Sequence, residues 1–203
     1  MYLPSRKSDR VHFRQVTTAA GFDLVRAAKA RGVNVTCGIT PAHFMLSDLA
    51  TVDFRTFARL SPPLRSEADR QAALAAIGEG VVDTISSGHD PRGAEEKRLP
   101  FADAAPGMAG AETLLAMTLG LVRDGVISIE RAFELLASQP AALLGVNAGK
   151  VEPGYEADIA LIDPEAPWII DRTKMAATAD NTPFDRQGTQ GRVRTLIKGG
   201  AVL

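Results

Sequence analysis

The segment Ser86–Lys97 concentrates side chains that could do chemistry. Its titratable members are His89, Asp90, Arg92, Glu95, Glu96 and Lys97. A histidine beside an aspartate can transfer protons or bind a metal, and an arginine can hold an anion. We interpret Glu95, Glu96 and Lys97 as a solvated, salt-bridged part of the loop, more so than as a catalytic acid pair. The segment is therefore either a functional loop or an ordinary polar connection.

A predicted strand places this loop. Val81, Val82, Thr84 and Ile85 follow the glycine-rich break 78–80 and form the short apolar, β-branched run of a buried parallel strand. Enzymes with parallel sheets carry their chemistry on the loops after the carboxyl ends of the strands. The loop from Ser86 is in that position.

The preceding and following segments predict an alternation of strands and helices. Two further strands are expected over Val11–Thr17 and Val33–Ile39. Thr17 or Thr18 is expected to cap a helix that ends before Gly32, and Ser66 to cap one that runs to about Ile77. Later helices are predicted over Gly110–Arg123, from Ser128 to just before Pro140, and for one turn over Ala141–Leu144. This order is typical of a parallel α/β arrangement.

The pattern changes after Gly149. Proline, glycine and aspartate become frequent and the apolar runs are short, which predicts antiparallel strands in place of strand–helix units. We place a boundary near 145–150, so that residues 1–148 form one domain and residues 149–203 a second, smaller one.

Composition narrows the class of protein. The chain has 203 residues, of which 45% are hydrophobic and 23% charged, and its net charge of −1 gives no reason to expect nucleic acid or an anionic membrane as partner. The one cysteine, Cys37, lies in an apolar run and is expected to be a buried, inert thiol. Met1–Arg10 is polar, without the apolar core of a secretory signal, and is expected to be frayed. The chain is expected to be cytoplasmic and not to span a membrane.

Four segments in this order resemble the carboxyl-terminal half of dihydroorotases, zinc amidohydrolases that interconvert carbamoyl-aspartate and dihydroorotate in pyrimidine synthesis. The segments are SPPLRSEADR (61–70), SGHDPRGAEEKRLPF with the following PGMAGAET (87–113), NAGKVEPGYEADIALIDPEAPWIID (147–171) and NTPFDRQGTQGRV (181–193). Hydantoinases and allantoinases are the nearest competing relatives.

The resemblance implies a fold and a departure from it. It implies a partial TIM-like barrel, about its last three strands, with a C-terminal segment of a small β-sandwich. The metal ligands of the family also come from strands that precede this region, including an HxH pair, and the sequence contains no HxH.

Two ligand positions of the family fall within the chain, and both are changed. The segment that reads YHxCHVST in the family corresponds to 11–18, where Gln15 replaces the ligand histidine. The segment TDHAPH corresponds to 87–92, where Gly88 replaces the aspartate that binds metal and takes the proton from the attacking water. Zinc hydrolysis needs three or more ligands and a base. No metal site and no catalytic residue are therefore predicted for this chain, although the family uses zinc.

The remaining candidates are residues of a residual pocket. Ser61 stands where the family has asparagine, Arg92 where it has histidine, and His89 keeps the family's residue. Asp90 lies two positions after Gly88 and could replace its carboxylate only if the loop changed course. His43 is expected to be structural, and His12 to be a satisfied or surface histidine.

Two hypotheses follow. The first is a catalytically degenerate dihydroorotase-like protein that serves as a scaffold or partner of aspartate transcarbamoylase, or that self-associates. The second is an active zinc dihydroorotase whose amino-terminal half is missing from this chain.

Overall fold

A parallel sheet forms the centre of the first part of the chain in the computed structural model. The structure describes residues 10–203, so the expectation that Met1–Arg10 is frayed falls almost wholly outside the described residues. The strands of the sheet are β1 (Val11–Phe13), β2 (Val35–Ile39) and β3 (Thr84–Ile85), in the order β1-β2-β3. Both pairs are parallel, with Val11 opposite Val35 and Ile39 opposite Ile85. The three predicted strands therefore exist, but each of them is shorter than predicted.

Two longer helices connect these strands, and both begin as the sequence predicts. Helix α1 (Ala19–Ala30) is capped by Thr18, whose hydroxyl accepts a hydrogen bond from the backbone of Gly21, and it ends before Gly32, which has a positive φ of 74°. Helix α3 (Glu67–Gly78) is capped in the same way by Ser66. Because Phe22, Val25 and Ala28 are buried, the apolar stripe of α1 faces the sheet.

A short helix and two 3-10 turns occupy the region between β2 and α3. Helix α2 (Pro41–Met45) starts immediately after β2, and 3-10 turns follow at Asp48–Thr51 and Thr56–Ala58. The bond between Ser61 and Pro62 is cis. Neither helix nor strand forms from Ser61 to Arg65.

The polar loop after β3 differs from the prediction at its end. Residues Ala94–Lys97 form a short helix, α4, and Lys97 is only 4% exposed, so the interpretation of Lys97 as solvated was wrong. Glu95 and Glu96 are exposed as expected. The next helix, α5 (Leu114–Arg123), begins later than predicted, because the backbone at Gly110 lies against the carbonyl of Ser87 and is held by the loop.

The last helical region continues where the sequence predicted a stop. Helix α6 (Ile129–Phe133) passes through a π-helical turn (Glu134–Ser138) into α7 (Gln139–Leu144), with Pro140 in its first turn. The prediction of a stop was wrong because the wider π turn accommodates the missing N–H of Pro140. Gly145, with φ of 70°, ends the helix as predicted.

The remaining residues form an antiparallel sheet, as predicted. Its strands are β4 (Ile159–Ile169), β5 (Gly188–Lys198) and β6 (Ala201–Val202). Strand β4 joins two apolar runs that the sequence separates, because a shift in register between Asp163 and Pro167 takes up the two prolines of the connecting segment. None of the helices among residues 10–203 is long and apolar enough to cross a bilayer.

Two buried clusters hold these layers together. The first lies between the parallel sheet and its helices and includes Phe22, Ile39, Phe44, Ile77, Val82 and Leu135. The second joins Met108 and Met117 to Ile170 and Phe184, which belong to the C-terminal part of the chain. The C-terminal segment thus returns to pack beside the loops that follow the parallel strands.

Candidate functional site

The carboxyl ends of the three parallel strands meet at one edge of the sheet. Beyond the strands, the backbone of Val16 still donates to Gly38 (2.9 Å) and that of Ser86 to Ile39 (3.0 Å). Gln15 after β1, Thr40 after β2 and Gly88 after β3 therefore follow neighbouring strands at the same edge. This is the edge where α/β proteins carry ligands and catalytic groups.

Gly88 has a backbone conformation that a side chain would disturb. Its φ is 61°, in the left-handed region. A Cβ atom at this position would lie 3.1 Å from Cγ2 and 3.2 Å from Cβ of Thr40. The loop is therefore adapted to glycine, both by its backbone angle and by the close approach of Thr40.

His43 is buried with both ring nitrogens engaged. Its Nε2 lies 2.9 Å from the carbonyl oxygen of Pro62, and its Nδ1 lies 2.7 Å from the hydroxyl of Thr40. Because the carbonyl can only accept, the proton lies on Nε2 and the hydroxyl donates to Nδ1. Burial lowers the pKa of His43, which keeps the ring neutral. His43 thus fixes the turn after Ser61, which is itself exposed.

His89 is exposed, but one of its nitrogens is used within the loop. Nδ1 accepts hydrogen bonds from the backbone N–H groups of Gly110 (3.3 Å) and Ala111 (3.2 Å), so the proton of a neutral ring lies on Nε2. His12 bonds through Nδ1 to the hydroxyl of Thr36 at 2.9 Å, in agreement with a satisfied histidine.

Asp90 and Arg92 bind each other. The carboxylate of Asp90 accepts from Arg92 at 2.7 Å, and Nε of Arg92 donates to the carbonyl of Pro106 at 2.9 Å. The backbone of Asp90 also donates to the carbonyl of Met108 (2.8 Å). These bonds draw Asp90 toward the 106–108 segment, so its carboxylate is engaged there.

Asn181 braces this loop, and the sequence reasoning did not single it out. The residue is 1% exposed, and its Oδ1 accepts from the backbone of Arg92 (3.0 Å) while its Nδ2 donates to the carbonyl of Gly107 (3.0 Å). Its own carbonyl accepts from Ala109 (3.2 Å). The sequence signal for this bracing role is the position of Asn181 at the start of the segment NTPF, which contributed only to the resemblance to dihydroorotases.

Lys97 supports the same loop from the other side. Its ammonium donates to three backbone carbonyls, those of Ala105 (2.7 Å), Thr56 (3.0 Å) and Arg59 (3.3 Å). Removal from water, together with the nearby Arg59 and Arg92, lowers the pKa of Lys97 to about 8. At neutral pH the side chain still carries the proton that serves the third carbonyl.

The donor set of this chain does not by itself fit a zinc site. Zinc in proteins is bound by imidazole, thiolate and carboxylate groups. At the strand ends stand a neutral amide, Gln15, and a residue without a side chain, Gly88, while Asp90 is paired with Arg92. Among residues 10–203, no three histidine, cysteine, aspartate or glutamate residues come together in a way that could hold a metal ion.

Comparison with known proteins places this arrangement in a family. The sequence profile of the amidohydrolase family matches residues 7–203. Among solved structures, L-hydantoinase (dihydropyrimidinase) from Arthrobacter aurescens has a TM-score of 0.89 at 26% identity, and a D-hydantoinase has 0.85 at 29%; each match covers 95% of this chain and 44% of the other. The chain belongs to the amidohydrolase family.

Within the family, the chain is similar in sequence to curated dihydroorotases. It is 37% identical over 203 residues to the dihydroorotase of Geobacter metallireducens and 39% identical over 194 residues to that of Desulforapulum autotrophicum. These matches cover 100% and 96% of this chain, but 48% and 45% of the relatives. The chain thus spans about half the length of these relatives, and the resemblance to dihydroorotases is confirmed.

Proposed function

We propose that this chain is a dihydroorotase-like protein of pyrimidine biosynthesis that is catalytically degenerate and acts as a scaffold or partner of aspartate transcarbamoylase. The observation that carries the proposal is Gly88. At the position where the dihydroorotase pattern has the metal-binding aspartate, the backbone is left-handed and lies against Thr40.

The chemistry of hydrolysis supports this reading. Attack on a cyclic amide at neutral pH requires a metal-activated water and a base that accepts its proton. Gln15 has no ionisable group, and Gly88 has no side chain at all. The nearby carboxylate of Asp90 is already bound by Arg92, so it is not placed to take over the role.

We further propose that the parallel strands are the last three strands of a TIM-like barrel and that the C-terminal sheet is part of a small β-sandwich, with the division near residue 148. The open form of both sheets supports this. Within the described residues, β1 pairs only with β2 and β3 only with β2. Both outer edges of the parallel sheet thus offer unpaired backbone groups.

The exposed apolar surface of the C-terminal sheet supports a protein partner or a second copy of the chain. Leu161 and Val202 are 53% and 70% exposed, and on the other face Val193 and Leu196 are 48% and 45% exposed. A sheet with apolar side chains on both faces is stable when both are covered. We propose that another polypeptide, aspartate transcarbamoylase or a second copy, covers them.

The test combines metal content, activity and binding. Protein purified without chelator is analysed for zinc per chain and assayed for dihydroorotate hydrolysis, and tagged chain is mixed with purified aspartate transcarbamoylase on a sizing column. We expect zinc near zero, no turnover, and co-elution with the transcarbamoylase or a self-associated species. Stoichiometric zinc with turnover contradicts the degenerate role, and an uncomplexed monomer contradicts the scaffold role.

An active zinc dihydroorotase is the second candidate, favoured by the observation that the chain covers 48% of the Geobacter metallireducens relative. In this case the missing half would supply the HxH pair. Reading the DNA upstream for an in-frame stretch that encodes HxH tests it. If such a stretch exists, the longer protein is assayed for dihydroorotate hydrolysis. Turnover favours the active enzyme. A lack of turnover favours the scaffold, because the longer protein has the same Gln15 and Gly88 as this chain.

A further inference from the structure

A groove lined by cationic and aromatic side chains lies away from the strand ends. It consists of two adjoining cavities of about 480 and 700 Å³, which share Arg172, Asp185 and Arg186. Residues 54–57, the 3-10 turn Arg172–Lys174 and parts of β4 and β5 form its walls. We call this the basic groove. None of the candidate residues of the strand-end site lines it, and its volume is in the range of small-molecule sites.

Positive charge is concentrated in the basic groove although the chain as a whole has a net charge of −1. Five cationic side chains and two carboxylates line it: Arg55, Arg172, Lys174, Arg186 and Arg192, with Asp171 and Asp185. Asp180, outside the lining, also contacts Arg172 at 3.2 Å. Within the described residues, Arg192 has no carboxylate within salt-bridge distance. The groove therefore has cationic capacity left for an anion.

Aromatic rings accompany these cations. The guanidinium carbon of Arg192 lies 4.9 Å from the ring centre of Trp168, and that of Arg172 lies 5.3 Å from the ring centre of Phe57. The indole N–H of Trp168 donates to the carbonyl of Gly191 (3.0 Å), which fixes the ring. Such layers of guanidinium and aromatic ring are suited to stack a further planar group.

Backbone strain is found in the same place. Among residues 10–203, only Phe54 (φ 58°) and Arg186 (φ 64°) are non-glycine residues with positive φ, and both line the basic groove. A positive φ is unfavourable for residues with a Cβ, and it persists at sites where the position of a side chain matters. At Arg186 the strained backbone carries a guanidinium that is 92% exposed.

We propose that the basic groove binds a small compound with both a phosphate and an aromatic base, that is, a nucleoside phosphate. Arg186 and Arg192 bind the phosphate oxygens, for which the guanidinium fork is well matched. The base stacks on the layer of Arg192 and Trp168. This site uses other residues than the proposed scaffold function and does not depend on it.

The protein carries its own reporter, because Trp168 is its one tryptophan. The full chain is titrated with ADP and, separately, with inorganic pyrophosphate, and tryptophan fluorescence is recorded. We expect a saturable change with ADP and binding of pyrophosphate that is about tenfold or more weaker, since the base contributes by stacking. No saturable change with ADP up to about 1 mM overturns the proposal, and equal affinity for pyrophosphate overturns the nucleoside part of it.

Matched variants test the assignment of residues. Arg192→Gln removes a charge from the groove, whereas Arg194→Gln removes one from the same strand outside it, where Arg194 pairs with Asp163 at 2.8 Å. Arg186→Gly removes the guanidinium and suits the positive φ, so the fold is retained. We expect about tenfold weaker ADP binding for Arg192→Gln and Arg186→Gly at unchanged melting temperature, and no change for Arg194→Gln. Equal effects in all three, or no effect in any, overturn the assignment.

Discussion

Replacing Asn181 by alanine is expected to loosen the loop after β3 without affecting the sheet. Asn181 makes two side-chain hydrogen bonds, to the backbone of Arg92 and of Gly107, both of 3.0 Å. A buried backbone group left without its partner costs roughly 1–3 kcal/mol. Because Gly107 is buried and Arg92 is half-buried, we expect Asn181→Ala to lower the free energy of unfolding by about 2–4 kcal/mol.

Two further variants give this expectation its controls. Asn147 also donates one amide hydrogen bond to a backbone carbonyl, that of Gly154 (3.1 Å), but at an exposed site, so Asn147→Ala should cost less than about 0.5 kcal/mol. Asn181→Asp keeps the oxygen that accepts from Arg92, but it places a carboxylate oxygen against the carbonyl of Gly107 at a position that is only 1% exposed, so it should destabilise the fold at least as much as Asn181→Ala.

Urea unfolding followed by far-UV circular dichroism measures the free energies, and limited trypsin digestion tests the location of the effect. Cleavage after Arg92 and Arg98 should be faster in Asn181→Ala than in the unchanged protein. If Asn181→Ala has the same stability and the same cleavage pattern as Asn147→Ala, the bracing role of Asn181 is refuted.

Three other expectations concern the loop and the core. Gly88→Asp should bind no zinc and should be less stable than the unchanged protein by about 2 kcal/mol, which is roughly 1 kcal/mol more than the loss for Gly80→Asp. The difference arises because Gly80 shares the positive φ but has no atom within 4 Å of an added Cβ. Calorimetry and metal analysis check this, and a stable, zinc-loaded Gly88→Asp would contradict it. Lys97 has a pKa of about 8 in the folded chain, below its ordinary value of 10.5, so the unfolded chain binds more protons between these two pH values. The stability contributed by Lys97 should therefore rise with pH by about 1 kcal/mol per pH unit in this range. Urea unfolding across the range should show a slope that the Lys97→Met variant lacks, and parallel curves for the two proteins would exclude the lowered pKa. Burial raises the pKa of Cys37 to about 12, so iodoacetamide should label this thiol only after unfolding. Mass spectrometry measures the labelling, and rapid labelling of the folded chain at neutral pH would contradict the buried position.

Local signals predicted those parts of the fold that are determined locally. Thr18, Ser66 and Ser128 each accept a hydrogen bond from the backbone of their own first helical turn, so residue type and spacing suffice to locate the helix start. The glycine stop at Gly145 follows from one residue's left-handed conformation.

What the sequence did not reveal depends on distant parts of the chain. Lys97 looks solvated beside Glu95 and Glu96, but it is buried because carbonyls of residues 56 and 59, about forty positions earlier, converge on its ammonium. The end of the helix before Pro140 was predicted from local sterics alone. The π turn relieves the steric conflict at Pro140, so the helix continues. The candidate residues of the pocket were chosen by resemblance, and their hydrogen bonds could be read only from the structure.

The brace at Asn181 also sets an order of events during synthesis. Its partners, Arg92 and Gly107, precede it by 89 and 74 residues, whereas the strands and helices around the loop are complete by Leu144. On the ribosome, the loop therefore leaves the exit tunnel well before Asn181, and the backbone groups of Arg92 and Gly107 lack this brace during that interval. The completion of the brace is thus a late step that waits for the C-terminal quarter of the chain, however early the parallel sheet has formed.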